Sequence, residues 1–142
     1  MQLGKLLGVD YGDRRTGLAI SDATGFLASG IGYIRENGMK HTAIRVAQEA
    51  KDRCATGVVV GLPKNMDGTE GFRADAVKAF VELLRAECDL PIYLLDERLS
   101  TMEAHTLLSL SGTRGQKRKE RVDTLSAQII LQDFLDRERN RS

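Results

Sequence analysis

Apolar positions along the chain cluster into short runs, separated by glycine and charge. The first is "KLLGVDY" (Lys5–Tyr11), which reads as a strand and ends in a tight turn at "GDRR". "TGLAISD" follows as a second strand pairing back on the first, and "FLASGIGYIRE" as a third strand loosened by glycine. After a break at "NGMK", the pattern changes period. Ile44, Ala47, Ala50 and Cys54 form a helical stripe over His41–Cys54. "GVVVGLP" is apolar throughout, the pattern of a strand covered on both faces. The polar loop "KNMDGTEG" leads to a helix over Phe72–Cys88, with Phe72, Ala76, Phe80, Leu83 and Leu84 to one side. "LPIYLLDERLS" gives a fifth strand. Ser100 and Glu103 match a capping box and start another helix, ending near "SGTRG". A final helix begins around Glu120, with Val122, Leu125, Ile129 and Phe134 inward, and ends in the polar tail "DRERNRS". Three strands followed by alternating helices and strands predict an α/β fold. Its sheet is mixed and five-stranded, its first three strands are antiparallel, and helices flank it.

The 142 residues suit one domain, expected over 1–138 with a polar tail at 139–142, and can bury a core without disulfides. Apolar residues at 42% and charged residues at 29% fit a globular protein, and no run approaches a membrane span. The N-terminus lacks the order of features of a signal peptide, so a cytoplasmic protein is expected. Cys54 and Cys88 read as unpaired thiols at helix ends. Only His41 and His105 are available as imidazoles, both in helical segments, and neither a Gly-x-Ser-x-Gly nor a full Walker loop occurs. Serine-histidine, cysteine-histidine and P-loop chemistry are thereby disfavoured.

Carboxylates in apolar contexts change the picture. Asp10 sits inside the first strand, Asp96 and Glu97 end the fifth, and Asp123 lies just before the last apolar face. A buried carboxylate is costly unless something positive meets it. Sites in open α/β sheets form at the carboxyl ends of strands. Convergence of Asp10, Glu97 and Asp123 there would repel in isolation and suit hard divalent cations. Two such ions activate water and stabilise a leaving oxygen of a phosphodiester. Gly12 would let backbone approach a phosphate or metal closely. Asp-x-Gly at a hairpin also suits nucleotide-binding folds of the actin kind, but those close nucleotide between two domains. Lys64 and Asn65 are presented at the tip of the fourth strand. Between Thr113 and Arg121, the bases Arg114, Lys117, Arg118, Lys119 and Arg121 face one acid, a basic loop suited to clamping a polyanion. No aromatics interleave it, so base stacking is not indicated.

Taken together, "GVDYGDRRTGLAISD", "VVVGLPKNMDGTEG", "LLDERLSTMEA" and "RVDTLSAQIIL" resemble the YqgF family over nearly the whole chain. Its members are described as pre-16S rRNA nucleases and, formerly, as Holliday junction resolvases. The resemblance implies a ribonuclease H-like three-layer fold, with Asp10, Glu97 and Asp123 holding one or two Mg²⁺ or Mn²⁺ ions. Gly12, Lys64, Asn65, Arg98 and the basic stretch from Arg114 to Arg121 would then bind substrate. Precursor rRNA, cut at the 5′ end of pre-16S rRNA, is the expected partner of a monomer or weak homodimer without membrane attachment. One alternative is a resolvase of branched DNA. Another is a non-catalytic nucleic-acid-binding factor in transcription or ribosome assembly.

Overall fold

The computed structural model describes residues 4–64, 69–97 and 115–140. Five strands form one sheet in the order β3-β2-β1-β4-β5. They are β1 (Leu6–Asp10), β2 (Thr16–Ser21), β3 (Ala28–Ile34), β4 (Gly57–Pro63) and β5 (Ile92–Glu97). β1, β2 and β3 pair antiparallel in sequence, while β4 runs parallel to both β1 and β5. The mixed sheet with an antiparallel edge is therefore as expected.

Helices α1 (Met39–Asp52) and α2 (Phe72–Glu87) cover one face of the sheet. Their core partners are alternate strand residues, among them Leu7, Val9, Val58, Val60 and Leu62. Helix α3 (Gly115–Asn140) covers the other face through Ala127, Ile130, Leu131, Phe134 and Leu135, against Leu6, Ala19, Val59 and Leu95. β4 lies between β1 and β5 in the middle layer of this three-layer stack. That explains its unbroken apolar run, since side chains of both parities meet a helix.

Helix faces differ from the sequence expectation by about one position. In α1 the buried stripe is Ala43, Val46 and Ala50, and Ile44 is exposed. In α2 it is Ala74, Val77, Phe80, Val81 and Leu84, and Phe72 is 79% exposed. In α3, Ser126, Ala127, Ile130 and Leu131 are buried, whereas Leu125 and Ile129 are half-buried. The buried faces combine small residues with large ones, and of the expected inward positions Ala50, Phe80, Leu84 and Phe134 are buried.

The last helix also starts earlier than expected. The basic stretch from Gly115 onward is helix, not loop. Lys, Arg, Gln and Glu are good helix formers, so charge does not prevent helix there. The helix expected from Ser100 lies outside the described residues.

Candidate catalytic site at the carboxyl ends of the parallel strands

Asp10 is the last residue of β1 and half-buried. Its neighbour Tyr11 is 7% exposed and stacks on Phe80 of α2, with ring centroids 4.5 Å apart. Burial, followed by the nearby Asp13 carboxylate, pushes the Tyr11 phenol up from its usual range. With Val9 and Tyr11 committed to the α1/α2 face, strand alternation gives Asp10 the α3 face, together with Leu6 and Gly8.

Glu97 ends β5 in register with Pro63 of β4. It falls on the same alternation as Leu95, which belongs to the α3-side core. Asp10 and Glu97 thus occupy positions on one face at the same end of the sheet, but β4 stands between their strands. The β1–β4 and β4–β5 registers set Glu97 two residues beyond the level of Asp10. Two strand spacings and two residue rises separate their Cα atoms by about 12 Å. The side chain of Glu97 lies outside the described residues. Asp96 takes the opposite parity, and Lys64 Nζ donates to its Oδ2 at 2.9 Å and lies 4.0 Å from Glu70. Lys64 is therefore engaged by carboxylates near the strand ends, which its sequence position alone does not show.

Helix α3 supplies the third position. It runs antiparallel to β1, as its contacts along β3 reveal. Thr124 and Gln128 meet Gly30, Gln132 donates to the Phe26 carbonyl and accepts from Ala28 N–H, and Arg139 reaches Phe26. Its N-terminal half therefore points toward the carboxyl end of β1. Close approach is permitted by glycine. A Cβ on Gly8 would lie 2.7 Å from Leu131 Cβ and 3.1 Å from the Ala127 carbonyl oxygen. One on Gly61 would lie 2.5 Å from Ile130 Cδ1. Asp123 lies one turn before Ala127 on the same i, i+4 row, on the side of Asp10. Its side chain, like those of Lys117, Arg118, Lys119 and Arg121, lies outside the described residues. So do Asn65, Arg98 and Arg114 altogether. The basic positions from Lys117 to Arg121 share the first turns of α3 with Asp123.

Gly12 has a local reason for its identity. A Cβ there would lie 2.3 Å from the Arg15 carbonyl oxygen, so the β1–β2 turn itself requires glycine. Arg73 ties this turn to α2, its Nη2 donating to the Tyr11 carbonyl at 3.4 Å and its Nη1 lying 3.8 Å from Asp13. Sequence reasoning passed over Ser126. It is 0% exposed, and its hydroxyl finds no hydrogen-bond partner among the described residues. Its only sequence signal is a small polar residue within the apolar face of α3.

A mixed five-stranded sheet between helices, with acidic residues ending β1 and β5, finds its matches among nucleases. A family model described as "RuvX: Holliday junction resolvase" matches residues 4–137, and the chain belongs to this family of nucleases. Two relatives bear the name "Putative pre-16S rRNA nuclease". That of Lactiplantibacillus plantarum is 46% identical over 136 residues, covering 94% of this chain and 94% of its own. That of Ligilactobacillus salivarius is 41% identical over 137 residues, covering 94% and 93%. In fold, the chain is similar to T. thermophilus RuvC in complex with a Holliday junction substrate. The TM-score is 0.60 at 14% identity, covering 96% of each chain. It is also similar to the fowlpox virus resolvase, with a TM-score of 0.55 at 12% identity, covering 94% of this chain and 98% of that one. The fold is thus of the ribonuclease H-like kind.

Proposed function

We propose that this nuclease is a divalent-cation-dependent endonuclease that hydrolyses phosphodiester bonds in structured RNA, with the 5′ end of pre-16S rRNA as its target. The observation that carries the reading is the shared address of three acidic positions. Asp10 and Glu97 end strands on the α3 face, and α3 brings Asp123 back toward the same edge. Carboxylate oxygens are the donor set that Mg²⁺ and Mn²⁺ prefer. The buried, unpartnered Ser126 hydroxyl on that face adds a polar group with no use inside an apolar core. The chemistry of three carboxylates supports such an ion, while among the described residues no group of three potential ligands is assembled.

Asp10, Glu97 and Asp123 would hold one or two Mg²⁺ or Mn²⁺ ions. A bound divalent cation supplies Lewis acidity at the phosphate and lowers the pKa of water. Asp10 is held by a strand whose next residue is locked by the Tyr11–Phe80 stack, so its carboxylate needs little reorganisation. Gly12 keeps the turn beside it narrow. Lys64, Asn65, Arg98, Arg114, Lys117, Arg118, Lys119 and Arg121 would line the approach of the sugar-phosphate backbone. Contacts of that kind give affinity and salt sensitivity more than sequence choice. The names carried by the curated relatives support rRNA as substrate.

The test is cleavage of a labelled pre-16S rRNA fragment in Mg²⁺ or Mn²⁺. The Asp10→Asn variant is expected to lose at least ~10²-fold in rate, the scale of removing one electrostatic group from a hydrolytic site. Undiminished cation-dependent cleavage by that variant would sink the assignment. The family description favours a second reading, resolution of four-way DNA junctions. That reaction needs two sites facing opposite strands and hence a dimer. A monomer in solution that leaves junctions intact but cuts the rRNA fragment decides for RNA.

A further inference from the structure

The two cysteines of the chain, Cys54 and Cys88, line one cavity of about 410 Å³ at the edge of the sheet opposite the carboxylates. Lys51, Glu87 and Leu90 are among its other walls. Each cysteine follows the end of a helix, Cys54 just past the cap of α1 and Cys88 as the cap of α2. Strand register explains why they meet. β4 and β5 begin their pairing with Val58 and Ile92, and the two cysteines stand an equal four residues before that pair. The Val58 N–H bonds the Pro91 carbonyl at 2.9 Å, so the two chains are already adjacent as they enter the sheet. Neighbouring strands lie about 4.8 Å apart, inside the Cα separation of about 4.4–6.8 Å that a disulfide spans.

Cys54 also carries a backbone cost. Its φ is 58°, the one positive value of a non-glycine residue among the described residues. The end of α1 requires that conformation. The Ala55 N–H reaches back to the Ala50 carbonyl at 2.9 Å, and the Cys54 N–H to that of Lys51 at 3.1 Å. Glycine is the ordinary occupant of such a helix end and would hold it without strain. An exposed cysteine kept there points to a use for its thiol.

We propose that Cys54 and Cys88 form a dithiol modification site whose substrate is a low-molecular-weight disulfide. Cys54, the exposed thiol, attacks, and Cys88, half-buried against the α1/α2 core, resolves. In the first exchange the Cys54 thiolate bonds to one sulfur of the external disulfide. The external S–S bond breaks, and one small thiol leaves with the proton that Cys54 gave up. In the second, the Cys88 thiolate attacks the Cys54 sulfur of the mixed disulfide and releases the other small thiol. The two cysteines are oxidised, and the external disulfide is reduced to two thiols. The link fastens the end of α1 to the end of α2, the helices that share one face of the sheet. The loop it closes holds all of β4 and α2, so it restricts the unfolded chain and raises the melting temperature. No step involves the carboxylate edge, and the inference stands apart from the cation-dependent reading.

The full chain and its variants Cys54→Ser, Cys88→Ser and Cys54→Gly are incubated with oxidised glutathione, then read by intact mass and non-reducing peptide mapping. The wild type is expected to lose two hydrogens, retain no glutathione and yield a peptide pair linked through Cys54 and Cys88. Cys88→Ser should stop at the mixed disulfide, with glutathione on Cys54. Cys54→Ser should react at least ~10-fold more slowly than Cys88→Ser, because its remaining thiol is half-buried. The oxidised wild type should melt several degrees above the reduced form, and dithiothreitol should reverse the shift. Without oxidant, Cys54→Gly should melt at or above the wild-type temperature. Glutathione held on both cysteines of one wild-type molecule, or two thiols that stay free, overturns the proposal. Linkage between two copies of the chain in place of the internal link does so too. A reduced Cys54→Gly that melts several degrees below wild type makes the Cys54 side chain structural and overturns the use assigned to it.

Discussion

Gly8 is where the core and the site are coupled most tightly, and Gly8→Ala tests that coupling. The new Cβ would lie 2.7 Å from Leu131 Cβ and 3.1 Å from the Ala127 carbonyl oxygen. Carbon atoms pack best about 3.5–4.0 Å apart, so helix and strand must separate by roughly 1 Å. The near atoms are a side-chain root and a backbone oxygen, and neither can rotate away. Overpacking of this kind destabilises by about 1–3 kcal/mol. At roughly 3 °C per kcal/mol for a chain of this size, the melting temperature should fall by about 3–9 °C. The same displacement carries the first turns of α3 away from β1, and a misplacement of about 1 Å costs on the order of 10²-fold in rate. Gly61→Ala is the control. Its Cβ would meet the Ile130 side chain, whose tip Cδ1 is nearest at 2.5 Å, and a new rotamer relieves part of the clash. Thermal unfolding by circular dichroism and cation-dependent cleavage of the rRNA fragment would be measured for both. Equal stability and activity of Gly8→Ala and wild type, or a larger loss in Gly61→Ala, would refute the coupling.

Two further outcomes are expected. In Lys64→Gln, the lost ion pair involves Asp96, whose side chain is 55% exposed, so stability should stay within about 1 kcal/mol of wild type by urea titration. If Lys64 also meets a phosphate, the slope of log affinity for the rRNA fragment against log salt should shrink by ~0.7–0.9; an unchanged slope removes it from the interface. Asp22 accepts backbone N–H bonds from Leu27 and Phe26 and one from the Thr24 hydroxyl. These, led by Leu27, push its carboxyl down to about 2. Because the folded value lies below the unfolded one, its support of the β2–β3 turn is complete above about pH 4. It is lost as pH falls through about 2. The Phe26 and Leu27 amide NMR signals should titrate with that midpoint in wild type and show no such titration in Asp22→Ala.

How much of this was legible in the sequence depends on the range of each interaction. β4 could be read to its ends, Gly57–Pro63, because burial on both faces leaves an unbroken apolar run. The start of α3 could not. Its first turns carry charge without apolar period, and periodicity is the signal on which helix recognition rests. The acidic positions were legible because each interrupts an apolar context. The insertion of β4 between Asp10 and Glu97 was not, since strand order is decided by pairing far along the chain. The same holds for Lys64 and Asp96, which register alone brings together. Gly8 and Gly61 look like weak points in strands, and their purpose shows only when α3 is laid across them.

The lid on this sheet comes from its far end. Helix α3 is the last described element, yet it packs across β1, β2 and β3, the first three to be made. A chain emerging during synthesis can pair its early strands and dock α1 and α2 long before α3 exists. Until then, the face bearing Gly8 and Asp10 lacks the α3 residues that cover it among the described ones, and lacks Asp123. On the proposed reading, in which Asp10, Glu97 and Asp123 act together, competence arrives only when α3 docks, and a copy still lacking that helix lacks Asp123.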